Sequence, residues 1–295
     1  MKFSAQRKGE FAAGGAALLW SFFPILTVLT VSSMPPLFTA AVSTAIAACF
    51  FTALVILRGH WRMFFETSVW KDILLATLFI GIIYYGLLFI GYRSTTAGDG
   101  AIITLTEAFF TFIIVNLLWR HEPLIPRHAL GAFCMVIGAF LVLLKGMSGQ
   151  WNIGNLFILV ACVFSPIGNI YAQRARTKVS TEVILCVRSI LSALFLFLLS
   201  LFTEHFSPHT FPSHFLLFII LNGIFLLGLS KILWLEAIHR LPIAKTVALS
   251  EGEVFLTLIF AFLLLGQPMM PYQLFALVPM GLGLFLLTKG ADVPA

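Results

Sequence analysis

Long apolar stretches separated by short polar punctuation run the whole length of the chain. Reading between the Pro, Gly and charge clusters gives ten of them, over 11–31, 36–57, 73–92, 98–119, 128–144, 152–172, 182–202, 214–236, 243–265 and 270–288. A helix needs about 20 mostly apolar residues to cross the hydrocarbon core, so the pattern predicts an all-α integral membrane protein with ten transmembrane helices. Breaks such as Ser33-Met34-Pro35-Pro36, Arg120-His121-Glu122-Pro123, Ser207-Pro208-His209 and Gly266-Gln267-Pro268 separate neighbouring spans sharply. The connections are too short for a soluble domain.

Composition strengthens this reading. Of 295 residues 60% are hydrophobic and only 10% charged, against about 45–50% and 25% in a soluble domain. A water-soluble chain, a disordered one and a coiled coil are all excluded. The basic start is followed by an apolar run longer than a signal-peptide core and without a convincing cleavage site, so it is read as a retained membrane helix. Cys49, Cys134, Cys162 and Cys186 lie inside apolar runs, where they read as small packing residues. The seven histidines, His60, His121, His128, His205, His209, His214 and His239, fall in loops or at span ends. No metal-site spacing appears, and no cofactor is implied.

The net charge of +6 is explained by where the basic residues fall. With ten spans both termini lie on one side. Fourteen basic residues sit there: Lys2, Arg7, Lys8, Arg58, Arg62, Lys71, Arg120, Arg127, Arg174, Arg176, Lys178, Arg240, Lys245 and Lys289. Arg93 and Lys145 fall opposite, and Arg188 and Lys231 inside the membrane. Because cytoplasmic loops carry the excess of Lys and Arg, both termini are expected in the cytoplasm, in a multi-pass protein of the cell (inner) membrane. The same belt removes nucleic acid as a partner.

The two halves, 1–146 and 147–295, look alike at a shift of about 145 residues. Pro35-Pro36 precedes span two as Ser180-Thr181 precedes span seven, Glu122-Pro123 matches Gln267-Pro268, and Met135, Gly138 and Phe140 match Met280, Gly283 and Phe285. A repeat of five spans, inserted twice in succession, must be inverted the second time. Two inverted five-helix repeats with a substrate route between them are the architecture of many secondary transporters.

These residues carry a family resemblance. Leu19-Trp20 in span one, Glu253-Val254-Phe255 followed by Gly266-Gln267-Pro268, the link from Glu236 to Ala244 and Arg188 in span seven make the chain similar to ten-span drug/metabolite transporters of the EamA type, over essentially its whole length. It departs from them at Val254, where proline is common, at Gln267, where glutamate is common and Glu122 keeps it in the first half, and at Ser43, where arginine is expected in span two. The resemblance implies the fold and a transport activity, often export. Its members carry amino acids, purines, cofactors and drugs.

Ionisable residues inside a membrane cost about 2.5–3.5 kcal/mol each on insertion scales, so each marks a function or a buried pair. Span four carries Thr104, Glu107 and Thr111, and span nine carries Ser250, Glu253 and Thr257, both at i, i+3, i+7. The stripes superpose at a shift of 146 and set Glu107 and Glu253 about 13 to 15 Å into their spans. They are the leading candidates for lining a central site; the alternative is that the acids and hydroxyls merely join helices. Glu251, about 200° around the helix from Glu253, is expected to face elsewhere. Its depth matches Lys231 and Arg188, each about 9 to 13 Å in from the terminus side, so a Glu251–Lys231 pair, or a gate with Arg188, is expected. Trp20, Tyr84 and Tyr85 also fall near mid-depth, where aromatic faces can hold an amine. Pro24 and Pro166 are expected to kink spans one and six, the latter carrying Asn169 and Tyr171 toward the terminus side.

The leading function is a secondary transporter of a small polar metabolite, an amino acid or related zwitterion or amine, with export the direction the resemblance implies, proton coupling through Glu107 or Glu253 and a carboxylate contact through Lys231. An uptake permease for a quaternary amine or cofactor fits the same residues. An intramembrane enzyme lacks its motifs: there is no HExxH, Gly98-Asp99-Gly100 is not GxGD, and no Ser/His pair lies at matched depth. A ten-span receptor or scaffold would have no domain through which to signal. The expected partners are a small-molecule substrate, protons and the lipid bilayer, in a monomer or a homodimer.

Overall fold

The computed structural model describes residues 4–119, 126–144, 151–205 and 213–288. Among these, eight helical runs are long and apolar enough to cross a membrane, and Ala129–Leu143 and Pro271–Leu287 are shorter apolar helices. No strand occurs among the described residues. Spans five and ten of the sequence pattern are the short ones. Large apolar side chains on the outer surface, such as Phe202 and Phe275, are exposed as lipid-facing groups would be. The expectations resting on Lys2, Arg120, His121, Glu122, Pro123, Lys145, Ser207, Pro208, His209 and Lys289 lie outside the described residues.

The first half comprises α1 (Ala5–Trp20) and α2 (Phe23–Ser33), α3 (Pro36–Leu57), α4 (Trp70–Ala76) and α5 (Tyr85–Tyr92), α6 (Ala97–Thr104) and α7 (Thr106–Trp119), and α8 (Pro126–Leu143). The second comprises α9 (Ile153–Arg176), α10 (Thr181–Thr203), α11 (Ser213–Leu221) and α12 (Ser230–Arg240), α13 (Ile243–Ser250) and α14 (Glu253–Leu265), and α15 (Pro271–Thr288).

Three spans are interrupted near mid-depth. Pro24 has no N–H to give to Trp20, and the chain tightens just before it, with Phe22 N bonding to Leu19 O at 3.2 Å. Span four tightens at Leu105, whose N–H reaches Ile102 O at 3.2 Å, and span nine at Glu251, which takes Val254 N at 3.3 Å. These three-residue bonds are 3₁₀-like turns, which advance the chain by a larger angle per residue than an α-helix. Pro166, by contrast, causes no break: α9 runs through it. Spans three and eight carry the opposite distortion, a widened π-helical winding over Thr77–Tyr84 and Asn222–Leu229. The two stretches match at an offset of 145 residues. Such widening is rare and gathers at functional sites.

Helices at matching places in the two halves pack against each other. On α3 and α10, Phe38 meets Phe197 and Thr52 meets Cys186 at 3.3 Å, so the two run antiparallel. Each end of this pair is tied by a carboxylate. Glu204 accepts from the N–H of Leu37 at 2.7 Å and of Phe38 at 2.9 Å, capping the start of α3, while Glu182 at the start of α10 meets His60 at 2.5 Å and Arg58 at 3.4 Å. Both arrangements set negative charge at a positive helix end.

On α8 and α15 the contact repeats itself. A Cβ on Gly138 would lie 2.1 Å from Met280 Cγ, and one on Gly283 would lie 2.7 Å from Met135 Cγ. Met135 and Gly138 are the counterparts of Met280 and Gly283. Only glycine lets these backbones approach so closely, as at small-residue contacts between membrane helices.

Candidate functional site

The interrupted segments and the widened stretch of span three face a central cavity of about 60 Å³, which the widened stretch of span eight does not line. The cavity exceeds the roughly 10–15 Å³ needed to hold a water, so it has room for water or a small polar group. Trp20, Phe23 and Pro24 come from the α1–α2 break, Tyr84, Tyr85 and Tyr92 from span three, and Thr104 and Glu107 from the α6–α7 turn. Ser165 and Asn169 come from α9, Arg188 from α10, Lys231 and Trp234 from α12, and Ser250, Glu251 and Glu253 from the α13–α14 turn.

A closed circuit of contacts runs around this wall. The Lys231 ammonium lies 4.0 Å from the centre of the Trp20 ring and 5.1 Å from that of Tyr85. Trp20 packs on Trp234 at 5.0 Å, and Trp234 Nε1 donates to Asn169 Oδ1 at 2.9 Å. Asn169 Nδ2 donates to Ser165 Oγ at 3.3 Å, and the Ser165 hydroxyl to Glu107 Oε2 at 2.7 Å. The Tyr84 hydroxyl donates to Glu107 Oε1, and Tyr84 meets Tyr85 edge-on at 5.2 Å. Two basic side chains, Arg188 and Lys231, and three carboxyl groups therefore share one small buried space. Among the described residues neither Lys231 nor Arg188 forms an ion pair, and the pairs found lie nearer the helix ends.

The structure brings ten of the sequence candidates together here: Glu107, Glu253, Lys231, Thr104, Ser250, Trp20, Tyr84, Tyr85, Arg188 and Glu251. Three expectations need correction. Thr111 and Thr257 do not line the cavity. The tightened turns rotate the second half of each span, and Thr257 instead gives its hydroxyl to Ser21 O at 3.0 Å, at the interruption of span one. Glu251 does face the same cavity as Glu253, because the turn at Gly252 breaks the helical phase that would have separated them. Lys231 is held by aromatic faces and not by Glu251.

Ser165, Asn169, Trp234 and Tyr92 were not singled out as site residues. Ser165 and Asn169 are spaced i, i+4 on one face of an apolar helix, a shorter polar stripe than those of spans four and nine. Tyr92 and Trp234 carry no such mark in a chain this rich in aromatics.

Polar contacts close both ends of the bundle. On the terminus side, Glu236 receives Arg176 at 2.8 Å, the Thr181 hydroxyl at 2.5 Å and also Arg240, joining α9, α10 and α12. Lys245 meets Glu10 at 3.1 Å, joining α13 to α1. On the opposite side Arg93 donates to Val31 O, and Asp99 accepts from Tyr272 at 3.0 Å and Gln273 at 2.7 Å beside a second cavity of about 480 Å³.

The EamA-like transporter family matches the sequence twice, over residues 7–144 and 152–289. The chain is 20% identical over 256 residues to the protein named Uncharacterized transporter YvbV of Bacillus subtilis (strain 168), covering 85% of this chain and 82% of that one. A solved crystal structure, 18% identical, shares its fold with a TM-score of 0.70 over 96% of this chain and 97% of the other.

Proposed function

The chain belongs to the EamA-like transporter family, and from that membership we propose that it is a secondary transporter of a small polar metabolite bearing an amine, an amino acid or related zwitterion. It works by export, coupled to protons. The observation that carries this reading is the central cavity, where Glu107, Glu251 and Glu253 outnumber Arg188 and Lys231 and no cation is paired with an acid. Buried charges are costly unless completed by a partner. A proton or an ammonium group supplies the missing positive charge.

The ten-helix inverted repeat is part of the same proposal, divided at 1–146 and 147–295. It is supported by the double family match, by the matched π-helical stretches and by the antiparallel packing of α3 on α10. In that frame the cavity lies between the halves, and the polar contacts at the two ends alternate in opening. Both termini are cytoplasmic, and the protein resides in the cell membrane as a monomer or homodimer.

A second reading, uptake of a quaternary amine or cofactor, is favoured by the rings of Trp20 and Tyr85, which already hold an ammonium. Purified protein screened by ligand-induced thermal shift against amino acids, amines, nucleosides and cofactors, then assayed for tracer flux in liposomes, separates the readings. Export of an amine-bearing metabolite predicts flux that follows an imposed proton gradient and falls in Glu107→Gln and Glu253→Gln. Flux like the parent's at every pH in both variants refutes the role given to the carboxylates. Product formation without flux points to an enzyme.

A further inference from the structure

Glu107 and Glu253 occupy matching places in the two halves, each in the first turn after a tightened turn of its span. Their surroundings differ. Both oxygens of Glu107 are engaged, by Tyr84 and by Ser165. Glu253 Oε2 is sealed from solvent and accepts no hydrogen bond. An acceptor in that condition bears its full desolvation penalty, and more so when charged. Two additions relieve it: a proton on the carboxyl group, or an N–H brought in by a ligand.

We propose that Glu253 is the exchanging carboxylate of the transport cycle, taking and releasing an N–H or O–H proton, and that Glu107 is a fixed acid whose role is to hold Tyr84 and Ser165 in place. This rests on the reading of the central cavity as the transport site. In the step itself a hydronium from one aqueous side adds its proton to the Glu253 carboxylate, removing one negative charge. The proton then leaves to water on the other side, or an ammonium donor takes its place. The titratable and charged groups that share the cavity with Glu253 are Glu107, Glu251, Lys231, Arg188 and the tyrosines of span three. Of these, Lys231 is positioned to answer the bared charge, by leaving the Trp20 ring, where it is held by no carboxylate.

The test needs neither a known substrate nor a working transport assay. Dicyclohexylcarbodiimide, an apolar reagent, adds to protonated carboxyl groups in apolar surroundings. The protein in detergent is treated with it, and the adduct is located by fragment-resolved mass spectrometry, which separates Glu253 from Glu251. Glu253 is expected to carry the adduct and Glu107 to be spared, with loss of that adduct in Glu253→Gln and its retention in Glu253→Asp. An adduct at Glu107, equal reaction at both, or none at Glu253 overturns the proposal. Benzylamine and benzyltrimethylammonium then distinguish the donor. Protection of Glu253 by benzylamine alone identifies an ammonium N–H, and absence of such protection leaves water as the proton's source. An adduct on Glu253 in a protein that moves no tracer in liposomes would instead defeat the transport reading, while leaving the assignment of the protonated acid intact.

Discussion

The ammonium of Lys231 rests 4.0 Å from the centre of the Trp20 ring, on a helix that puts no carboxylate beside it. A cation over an indole is worth about 0.5 kcal/mol when exposed and about 2 kcal/mol or more when desolvated. An unpaired buried charge costs free energy, so replacing it by an apolar side chain of similar volume removes that cost. Lys231→Met is therefore expected to keep or raise the apparent Tm. Trp20→Leu should lower stability by about 1–2 kcal/mol in the parent and by clearly less in the Lys231→Met background. Adding Glu251→Gln should make no difference to Lys231→Met. Restoration of stability by that second change would mean that the two residues are paired after all.

Gly138 and Met280 offer a sterically sharper test. The Cβ of Gly138→Ala would fall 2.1 Å from Met280 Cγ, and Ala276 O would lie 2.9 Å from it. Overpacking of this kind costs about 1–3 kcal/mol. Met280→Ala should recover part of the loss, and Gly283→Ala with Met135→Ala should behave in parallel. Thermal unfolding in detergent reads the parent and each variant. If Gly138→Ala unfolds like the parent, α8 and α15 do not meet as described.

The span positions were legible because apolar length and polar punctuation are properties of the chain alone. So was the clustering of Glu107, Glu253, Lys231 and Trp20, which follows from helical rise and depth. The interruptions were not legible, and they decided the rest. A break at Leu105 has no mark in an apolar, β-branched neighbourhood, and a π-helical stretch such as Thr77–Tyr84 reads as ordinary helix. Phase errors of this sort placed Thr111 and Thr257 on the cavity wall and turned Glu251 away from it. Gly252 was the available warning, since glycine inside a helical run weakens it by about 1 kcal/mol.

Glu204 caps α3 from the other half of the chain, through the N–H groups of Leu37 and Phe38. Losing an N-terminal cap costs about 0.5–2 kcal/mol. Glu204→Ala should fall at the upper end of that range, because charge, geometry and the Ser200 hydroxyl bond at 2.7 Å are lost together. Glu204→Gln should cost less. An unchanged Tm for both would show that water replaces the carboxylate freely.

The contacts around Glu236 hold α9, α10 and α12 together on the terminus side. If they close the cavity there, Glu236→Gln should raise the rate at which Ser250→Cys reacts with a small thiol reagent, in a background lacking the four native cysteines. Equal rates with and without the Glu236 change would locate the closure elsewhere.

Topology is checked in the same background. Ser4→Cys should resist an impermeant thiol reagent in intact cells, and Ser94→Cys, beside the opposite face, should react. The reverse pattern would invert the proposed orientation.

The contact of Met135 and Gly138 with Gly283 and Met280 reads the same when the two halves are interchanged. An isologous surface of this sort needs no second sequence to complete it. On the proposed inverted-repeat reading, one five-helix unit, inserted in either direction, carries both the knob and the hollow that its oppositely inserted twin requires. A tandem chain is then a way of fixing the ratio of the two orientations at one to one. Once they are joined, each half is free to change what it shows to the cavity, as the unequal surroundings of Glu107 and Glu253 already record.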